Sequence, residues 1–474
     1  MTRSAYLLER AWVGGAVLDD VLVEIGDGRF TSVTPGVGNS RLPAEALSQK
    51  RGVSPGNRGN PTTQPPHPPP PPPPTRLPGL TLPGLANCHS HAFHRALRGR
   101  TQRGTGTFWT WREQMYDVAG RLDPDSYFEL ARATYREMAA AGITCVGEFH
   151  YLHHQPGGTP YDDPNAMGHA LVAAARDAGI RIALLDTCYL SSGFGAPVTA
   201  AQTRFADADA DAWAARVADL ADLADLATPG TTVIGAAIHS VRAVPDDQLR
   251  AVVEAASGRP LHVHLSEQVA ENDACIAAYG ATPTQLLADH GALGPDTTAV
   301  HATHLTADDV AHLGDTRTHA CFCPTTERDL GDGVGPSRAL HEAGARLTLG
   351  SDSHAVIDLF EEMRAVELDE RLARQSRGHW PAADLLAAAT GTGHASLGFP
   401  DAGAIAVGAR ADLVTVATDH PSTAGTGADE HTAVYAATAA DVVHVVVDGL
   451  VVVREGDRAD IGRDLHAAIA RTTR

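Results

Sequence analysis

Hydrophobic and polar positions follow a repeating order through the middle of the chain. From about residue 82, short β-branched or apolar runs alternate with Ala- and Leu-rich stretches that have amphipathic helical spacing. The candidate strands are 82–88, 144–149, 181–186, 232–238, 260–265, 298–302, 319–323 and 346–350. The helical stretches between them include 124–141, 166–178, 212–226, 246–256 and 336–343. This order predicts an α/β protein with a (β/α)8 barrel, whose catalytic groups lie at the carboxyl ends of the strands.

Both ends of the chain follow a different pattern. Residues 6–33 contain short alternating runs, and short apolar runs return after about residue 390, at 411–416 and 442–449. We expect the two ends to form a small discontinuous β-sandwich domain beside the barrel. The predicted organisation assigns residues 1–35 and 396–474, with a terminal helix, to this domain and residues 78–395 to the barrel.

The segment between the first β region and the barrel differs from both. Residues 36–77 are rich in Pro, Gly, Ser and Asn and contain a long proline run. Such a composition buries too little apolar surface to offset its ordering entropy, and the prolines favour polyproline II. We therefore expect a flexible, exposed insertion that acts as a linker rather than as a proline-rich ligand for a partner.

The composition is typical of a large soluble enzyme. The chain has 474 residues, 43% of them hydrophobic, and a formal net charge of −20. This charge argues against binding to nucleic acids or anionic lipid surfaces, which need clustered Lys and Arg. The sequence has neither an apolar run of bilayer length nor a signal peptide at its start. We expect a cytoplasmic protein whose six cysteines are reduced.

Metal-ligand residue types stand at the ends of several candidate strands. His89 and His91 close the first run, His264 the fifth and His301 the sixth, and Asp352 follows the eighth. Side chains at i and i+2 of a strand point the same way, so His-x-His can present two imidazoles to one ion. Taken alone, the pair could as easily be packed in the core or exposed at the surface as bind a metal. Histidines without a shared role, however, would be scattered over the helices and both barrel rims. We predict one divalent ion per chain, held by His89, His91, His264 and Asp352.

The ligand set also limits the chemistry. Imidazoles and one carboxylate suit zinc, although iron or manganese could use the same ligands. Lys50 is the only lysine in the chain and lies in the segment expected to be flexible. Mechanisms that need an ordered lysine, as a Schiff-base former or a carboxylated metal bridge, are therefore excluded.

The order of these ligands resembles the amidohydrolase superfamily, whose members combine a metal-dependent hydrolytic barrel with a small β domain. The missing bridging lysine and the His-x-x-Glu run at 264–267 resemble its mononuclear deaminases. More narrowly, five runs resemble the formimidoylglutamate deiminases. They are NCHSHAFHRA at 87–96, FWTWRE at 108–113, EFHYLHH at 148–154, HSVR at 239–242 and CPTTE at 323–327. This resemblance implies hydrolysis of N-formimino-L-glutamate to N-formyl-L-glutamate and ammonia, in histidine degradation.

Three residues are candidates for the proton transfers of such a reaction. Asp352 can accept the proton of the attacking water, and Glu267 can deliver a proton to the departing nitrogen. His301 could orient the nucleophile and stabilise developing charge, or it could bind the metal directly. The alternative for Glu267 is a carboxylate that only orients a ligand imidazole.

A substrate with two carboxylates needs cationic partners at close range in an acidic protein. Arg112, in the expected loop after the first strand, and Arg242, after the fourth, are the candidates. The resemblance adds Tyr151 and His239 to the substrate pocket. It also marks a departure, because His94 stands where the family often has Gln.

Other functions are compatible with parts of this pattern. A related deaminase could act on another amidine, a guanidino compound or a nucleobase, although paired arginines favour a dicarboxylate amidine. A non-catalytic scaffold would be expected to have lost metal ligands, and none is missing here. The expected partner is thus a small molecule, and a homodimer is compatible with the sequence.

Overall fold

The computed structural model describes residues 3–37, 73–227, 230–455 and 457–473. Its strands, in chain order, are β1 (Arg3–Val13), β2 (Ala16–Gly26), β3 (Arg29–Thr34), β4 (Thr75–Pro83), β5 (Leu85–Ser90), β6 (Ile143–His150), β7 (Arg181–Cys188), β8 (Thr232–Ile238), β9 (Leu261–Leu265), β10 (Thr297–His301), β11 (His319–Phe322), β12 (Arg346–Leu349), β13 (Leu413–Val416), β14 (Val442–Val447) and β15 (Leu450–Arg454). Most of the proline-rich segment predicted at 36–77 lies outside the described residues.

The helices are α1 (Phe108–Ala119), α2 (Pro124–Ala140), α3 (Ala166–Ala178), α4 (Ala210–Ala227), α5 (Asp246–Ala255), α6 (Val269–Tyr279), α7 (Pro283–Asp289), α8 (Ala307–Asp315), α9 (Pro324–Leu330), α10 (Ser337–Ala343), α11 (Leu359–Arg374), α12 (Ala382–Ala389), α13 (Gly391–Ser396), α14 (Glu430–Tyr435) and α15 (Arg458–Thr472). Short 3₁₀ helices lie at Ala92–Leu97, Thr203–Phe205 and Ala439–Asp441. Over the described ranges, no helix combines the length and apolar character needed to span a bilayer.

Strands β5 to β12 form the predicted barrel. They pair in parallel and in chain order, from β5 at one edge to β12 at the other. The two edges meet through a parallel bridge between Ser90 and Asp352, and the N–H groups of Ser351 and Asp352 donate to the His89 carbonyl at 3.1 and 3.0 Å. Barrel closure thus joins the first and last strands beside the candidate metal ligands.

Local sequence signals explain the outer helices. Helix α2, for example, begins at Pro124 behind a capping box in which Asp123 and Ser126 bind each other's backbone N–H. Its buried positions carry apolar residues such as Leu130 and Met138, and only Asp125 of the helix is fully exposed. Predicted helices such as 124–141 and 166–178 agree with the structure to within a residue.

The two chain ends form one mixed sheet of seven strands, in the order β15-β14-β13-β4-β1-β2-β3. Strands β1 and β4 are parallel, and the other pairs are antiparallel. One face buries an apolar cluster that includes Leu8, Val23, Phe30 and Leu413. The predicted small β domain built from both chain ends is confirmed. Helix α15, the last in the chain order, packs on α2.

The apolar run at 82–88, predicted as the first barrel strand, is two strands. Pro83 ends β4 and pairs with Leu413 of the small sheet, whereas Leu85 begins β5 and pairs with Ile143 of the barrel. Gly84 makes the transition, because a Cβ there would collide with the side chain of Thr144. The prediction was wrong here because both strands are buried and therefore equally apolar. Strand β4 begins at Thr75, so the boundary expected at residue 77 falls inside it.

Candidate active site

The carboxyl ends of the barrel strands bring the predicted metal ligands into one buried cluster. His89 Nε2 lies 3.1 Å from His264 Nε2 and 3.4 Å from Asp352 Oδ1. His91 Nε2 lies 3.4 Å from the same Asp352 oxygen. The ligand atoms of His89, His91 and His264 all lie within 4.8 Å of one another. Four predicted side chains, from the ends of three strands, therefore converge on one point.

These separations are short enough for the four side chains to bind a single metal ion. Ligand atoms about 2.0–2.1 Å from a tetrahedral zinc ion lie roughly 3.3 Å apart from one another. Three of the separations among His89, His91, His264 and Asp352 lie between 3.1 and 3.4 Å, close to that distance. Three imidazoles and one carboxylate also form a ligand set of the type that zinc prefers.

The surrounding backbone selects the imidazole tautomers that a metal needs. His91 Nδ1 lies 2.9 Å from the Phe149 carbonyl oxygen, and His264 Nδ1 lies 2.9 Å from that of His239. Because a carbonyl only accepts, each Nδ1 carries the proton and each Nε2 presents a lone pair to the cluster. Burial lowers the pKa of all three imidazoles, that of His91 to about 3, and so keeps them neutral.

Several residues of the site have left-handed backbone conformations. The φ angles are 52° at Ser266, 69° at His301 and 38° at Asp352. Non-glycine residues adopt such conformations at an energetic cost, which the surrounding fold must offset. The concentration of these angles at the strand ends indicates that the barrel imposes the positions of the site residues.

Glu267 and His301 lie beside the ligand cluster. His301 Nε2 is 3.9 Å from Glu267 Oε1 and 3.9 Å from Asp352 Oδ2, while its Nδ1 is 3.4 Å from Glu327 Oε1. Burial raises the pKa of Glu267 to about 7, so its carboxyl can hold a proton near neutral pH. His89, His301 and Asp352 also have ligand atoms within 4.8 Å of one another, which is compatible with direct ligation by His301.

A cavity of about 580 Å³ empty volume opens onto this cluster. The five predicted substrate-binding residues all line it: His94, Arg112, Tyr151, His239 and Arg242. Glu267, His301 and Asp352 line the same cavity. The structure thus brings the predicted catalytic and substrate-binding residues to one space.

The two arginines reach the cavity from different elements. Arg112 lies on helix α1 rather than in the predicted loop, with its guanidinium carbon 4.5 Å from the Trp109 ring centre and 5.7 Å from that of Tyr116. Arg242 follows β8, and its Nε donates to Glu271 Oε2 at 3.1 Å. Aromatic stacking therefore orients one guanidinium, and a carboxylate orients the other.

His94 is buried and fixed within the cavity wall. Its Nε2 lies 2.9 Å from the Tyr151 hydroxyl, and its ring centre is 5.1 Å from that of Trp111. Two predicted substrate-binding residues, His94 and Tyr151, therefore contact each other. A change at position 94 would alter the polar partner of Tyr151 as well as the wall itself.

Sequence reasoning missed a carboxylate that supports the His-x-His strand. Glu148, on β6, accepts hydrogen bonds from Ser90 Oγ at 2.7 Å and from the Ala92 N–H at 2.6 Å. Ser90 Oγ also lies 3.1 Å from His354 Nε2. Burial raises the pKa of Glu148 to about 8. An acidic residue inside an otherwise apolar strand was the available signal.

Aromatic and other residues of the cavity were also missed. They are Met115, Tyr116, Tyr189, Phe205 and Leu330. Their side chains come from helices and loops whose position over the barrel no spacing rule fixes. A set of apolar walls around a few polar groups is typical of small-molecule sites.

A second group of buried histidines lies at the carboxyl end of β6 and just after it. His150, His153 and Asp186 have potential ligand atoms within 4.8 Å of one another. However, Arg216 donates to both oxygens of Asp186, at 2.8 and 2.9 Å, and His153 Nε2 lies 2.9 Å from the Thr187 carbonyl. The arginine neutralises the carboxylate, so this group is an internal ion-pair network that packs the end of β6.

Comparison with known proteins identifies the family. The amidohydrolase family model matches residues 80–452. The chain belongs to the amidohydrolase family. It is 36% identical over 408 residues to a formimidoylglutamate deiminase of Pseudomonas aeruginosa, which covers 83% of this chain and 89% of that protein. Identity to a 5-methylthioadenosine/S-adenosylhomocysteine deaminase of Halobacterium salinarum is 30%, over 79% of this chain and 82% of that protein.

A solved structure supports the same family. The crystal structure of an amidohydrolase from Brucella melitensis has a TM-score of 0.84 and 30% identity, covering 99% of this chain and 100% of that one. The present chain is therefore a hydrolase of carbon–nitrogen bonds and belongs to a metal-dependent family. Of the two relatives described above, one is named a deiminase and the other a deaminase.

Proposed function

We propose that this amidohydrolase is a deiminase that hydrolyses N-formimino-L-glutamate to N-formyl-L-glutamate and ammonia. The observation that carries the proposal is the composition of one cavity, where Arg112 and Arg242 accompany the histidine and aspartate cluster. Two guanidinium groups match the two carboxylates of this substrate. The 36% identity to a formimidoylglutamate deiminase supports the same substrate. The proposed setting is histidine degradation in the cytoplasm.

His89, His91, His264 and Asp352 would hold one divalent ion, which we propose is zinc. A zinc ion in such a site lowers the pKa of a bound water to about 7 and so supplies a nucleophile at neutral pH. The imidazoles are neutral and have fixed tautomers, so the Asp352 carboxylate gives the ligand set a single negative charge, which suits a divalent cation.

The reaction adds water to the amidine carbon and expels the imino nitrogen, which needs two protons to leave as ammonia; both come from the water, whose oxygen becomes the formyl oxygen. Asp352 would accept the first proton that the attacking water loses and give it to the nitrogen as the carbon–nitrogen bond breaks. Glu267, whose carboxyl can hold a proton near neutral pH, would deliver the other proton to the departing nitrogen and regain one from the added hydroxyl as the carbonyl forms. His301, between these two carboxyl groups at 3.9 Å from each, would orient the nucleophile and stabilise charge on the reacting carbon's substituents.

Recognition would depend on short-range contacts, because the net charge of −20 repels a dicarboxylate at longer range. Arg112 and Arg242 would each bind one carboxylate through paired N–H groups. His94, Tyr151 and His239 would complete the polar wall of the substrate pocket.

A second candidate function is deamination of a heterocyclic ring. Trp111, Tyr116, Tyr189 and Phe205 supply aromatic surfaces on which a ring could stack, and one relative is a deaminase of adenosine derivatives. A neutral ring, however, would offer no carboxylate to either guanidinium group of the cavity. The first candidate is therefore favoured.

The test is ammonia release from N-formimino-L-glutamate by purified, zinc-loaded protein, with N-formyl-L-glutamate identified as the product. The Asp352→Asn variant is the control for a contaminating activity and should release no ammonia above background. A folded protein that binds zinc but leaves this substrate intact would contradict the proposal. Deamination of adenosine derivatives in the same assay would establish the second candidate instead.

A further inference from the structure

Arg242 has a buried acidic partner that the proposed reaction does not use. Glu271 lies in the first turn of α6, four residues after Glu267. Its Oε2 accepts the hydrogen bond from Arg242 Nε at 3.1 Å. The Glu271 side chain is 1% exposed, whereas that of Arg242 is 15% exposed and lines the cavity. The acid therefore lies behind the arginine, and the arginine faces the substrate space.

The geometry of this pair determines what Arg242 can offer to a ligand. A guanidinium is planar and has two edges that can bind a carboxylate through paired N–H groups. One edge uses Nε, which is committed to Glu271. The Nη1–Nη2 edge is the one left for a substrate carboxylate, and the fixed Nε sets its direction.

The Glu271 carboxylate is not part of a wider structural network. Its Oε1 is buried and has no hydrogen-bond partner within the described ranges. Glu362, which is also fully buried, differs because its two oxygens both bind Thr325, through N–H at 3.0 Å and Oγ1 at 2.5 Å. A carboxylate whose contribution was only to packing would be expected to satisfy both oxygens, as Glu362 does.

We infer that Glu271 is a positioning residue for substrate recognition, which holds the Arg242 guanidinium so that its Nη1–Nη2 edge receives one substrate carboxylate. The inference rests on the proposed function, because it assumes a dicarboxylate substrate. It assigns Glu271 a role in affinity and not in the chemical step.

The test compares substitutions of Glu271 in the zinc-loaded full chain with N-formimino-L-glutamate. Glu271→Ala removes the oxygen that holds Nε and should raise KM about 10- to 100-fold, the effect of a lost hydrogen bond to a charged group. Both kcat and zinc content should stay close to wild type. Glu271→Gln keeps an acceptor oxygen and should leave KM within about threefold of wild type, because positioning is retained. Asp273→Asn, an exposed carboxylate on the same helix, is the matched control and should change nothing.

Several results would overturn the inference. They are an unchanged KM in Glu271→Ala, a loss confined to kcat or zinc content, and a Gln variant as impaired as the Ala variant. If Glu271→Ala does not fold, Glu271→Asp replaces it, since the shorter side chain withdraws the oxygen from Nε while keeping the charge. That variant must then show the same rise in KM.

Truncated substrates make the test specific for the Arg242 contact. N-Formiminoglycine lacks the side-chain carboxylate, and N-formimino-4-aminobutyrate lacks the α-carboxylate. The Glu271→Ala penalty should disappear with the one that lacks the carboxylate bound by Arg242 and persist with the other. An equal penalty on both would indicate a general structural defect and overturn the inference.

Failure of the proposed function would be distinguishable from failure of this inference. If wild-type protein releases no ammonia from N-formimino-L-glutamate, the proposed function fails. Calorimetric binding of N-formyl-L-glutamate to wild type and to Glu271→Ala then tests the positioning role alone. Weaker binding by the variant supports it, and equal binding or none to either protein overturns it.

Discussion

The proposed metal-ligand cluster and Arg112, one of the two proposed substrate-binding arginines, border the same cavity, but different parts of the fold hold them. The ligands stand at the ends of barrel strands, and backbone carbonyls of Phe149 and His239 fix two of their imidazoles. Arg112 projects instead from helix α1, next to Trp109, which is 45% exposed. Strand ends are set by the whole barrel, whereas a surface helix can shift or change sequence without disturbing it. The barrel thus fixes the proposed metal ligands and Arg242, whereas the position of Arg112 depends on helix α1.

The largest effect should come from the chemical side of this comparison. Glu267→Gln removes the carboxyl that can give up a proton and should lower kcat about 10²- to 10⁴-fold, the contribution of a general acid. KM and zinc content should change little, because Glu267 lies beside the ligands. The measurements are steady-state kinetics and metal analysis of the same preparation. Loss of zinc in this variant would show that Glu267 supports the ligands instead.

A substitution on the recognition side should affect a different constant. Arg242→Met removes a charged bidentate contact and should lower kcat/KM about 100-fold, mainly through KM. The free energy of unfolding should change far less than the activity. Arg250→Met, at an exposed position of helix α5, is the matched control. Unchanged kinetics in Arg242→Met would remove Arg242 from the substrate pocket.

A third substitution tests whether the scaffold holds the metal site. Glu148→Ala removes the carboxylate that accepts hydrogen bonds from Ser90 and Ala92. Zinc affinity should fall about 10- to 100-fold, the usual cost of losing a residue that supports metal ligands. Competition with a chromogenic chelator measures this affinity directly. If zinc affinity is retained, the His-x-His strand does not need this support.

The smallest effect is expected at position 94, where this chain has His and the formimidoylglutamate deiminases that it resembles often have Gln. His94→Gln replaces one hydrogen-bonding partner of Tyr151 with another, so kcat/KM should stay within about tenfold, the range of a neutral hydrogen bond. Kinetics with N-formimino-L-glutamate would measure it. An inactive variant that is folded and zinc-loaded would show that the histidine itself is required for recognition.

The sequence predicted the barrel strands and the polar residues at their ends better than the side chains that hold those residues in place. The periodic order of strands and helices, together with the rule that barrel sites lie at carboxyl strand ends, was sufficient to bring His264 and Asp352 to the His-x-His pair. It failed at residues 82–88, where two buried strands follow each other without a polar break. Glu148 and Glu271 were missed because their partners are 58 and 29 residues away, and one sequence contains no pairing information.

The bridge between Ser90 and Asp352 has a consequence for the order of folding. It joins residues that are separated by most of the barrel sequence, so the entropy of closing that long loop must be paid before the ligands can meet. An ion bound by His89, His91 and Asp352 would connect the ends of β5 and β12 and so stabilise this closure. Amide hydrogens along β5 and β12 should therefore exchange faster in the metal-free protein than those of β7 and β8, far from the closure.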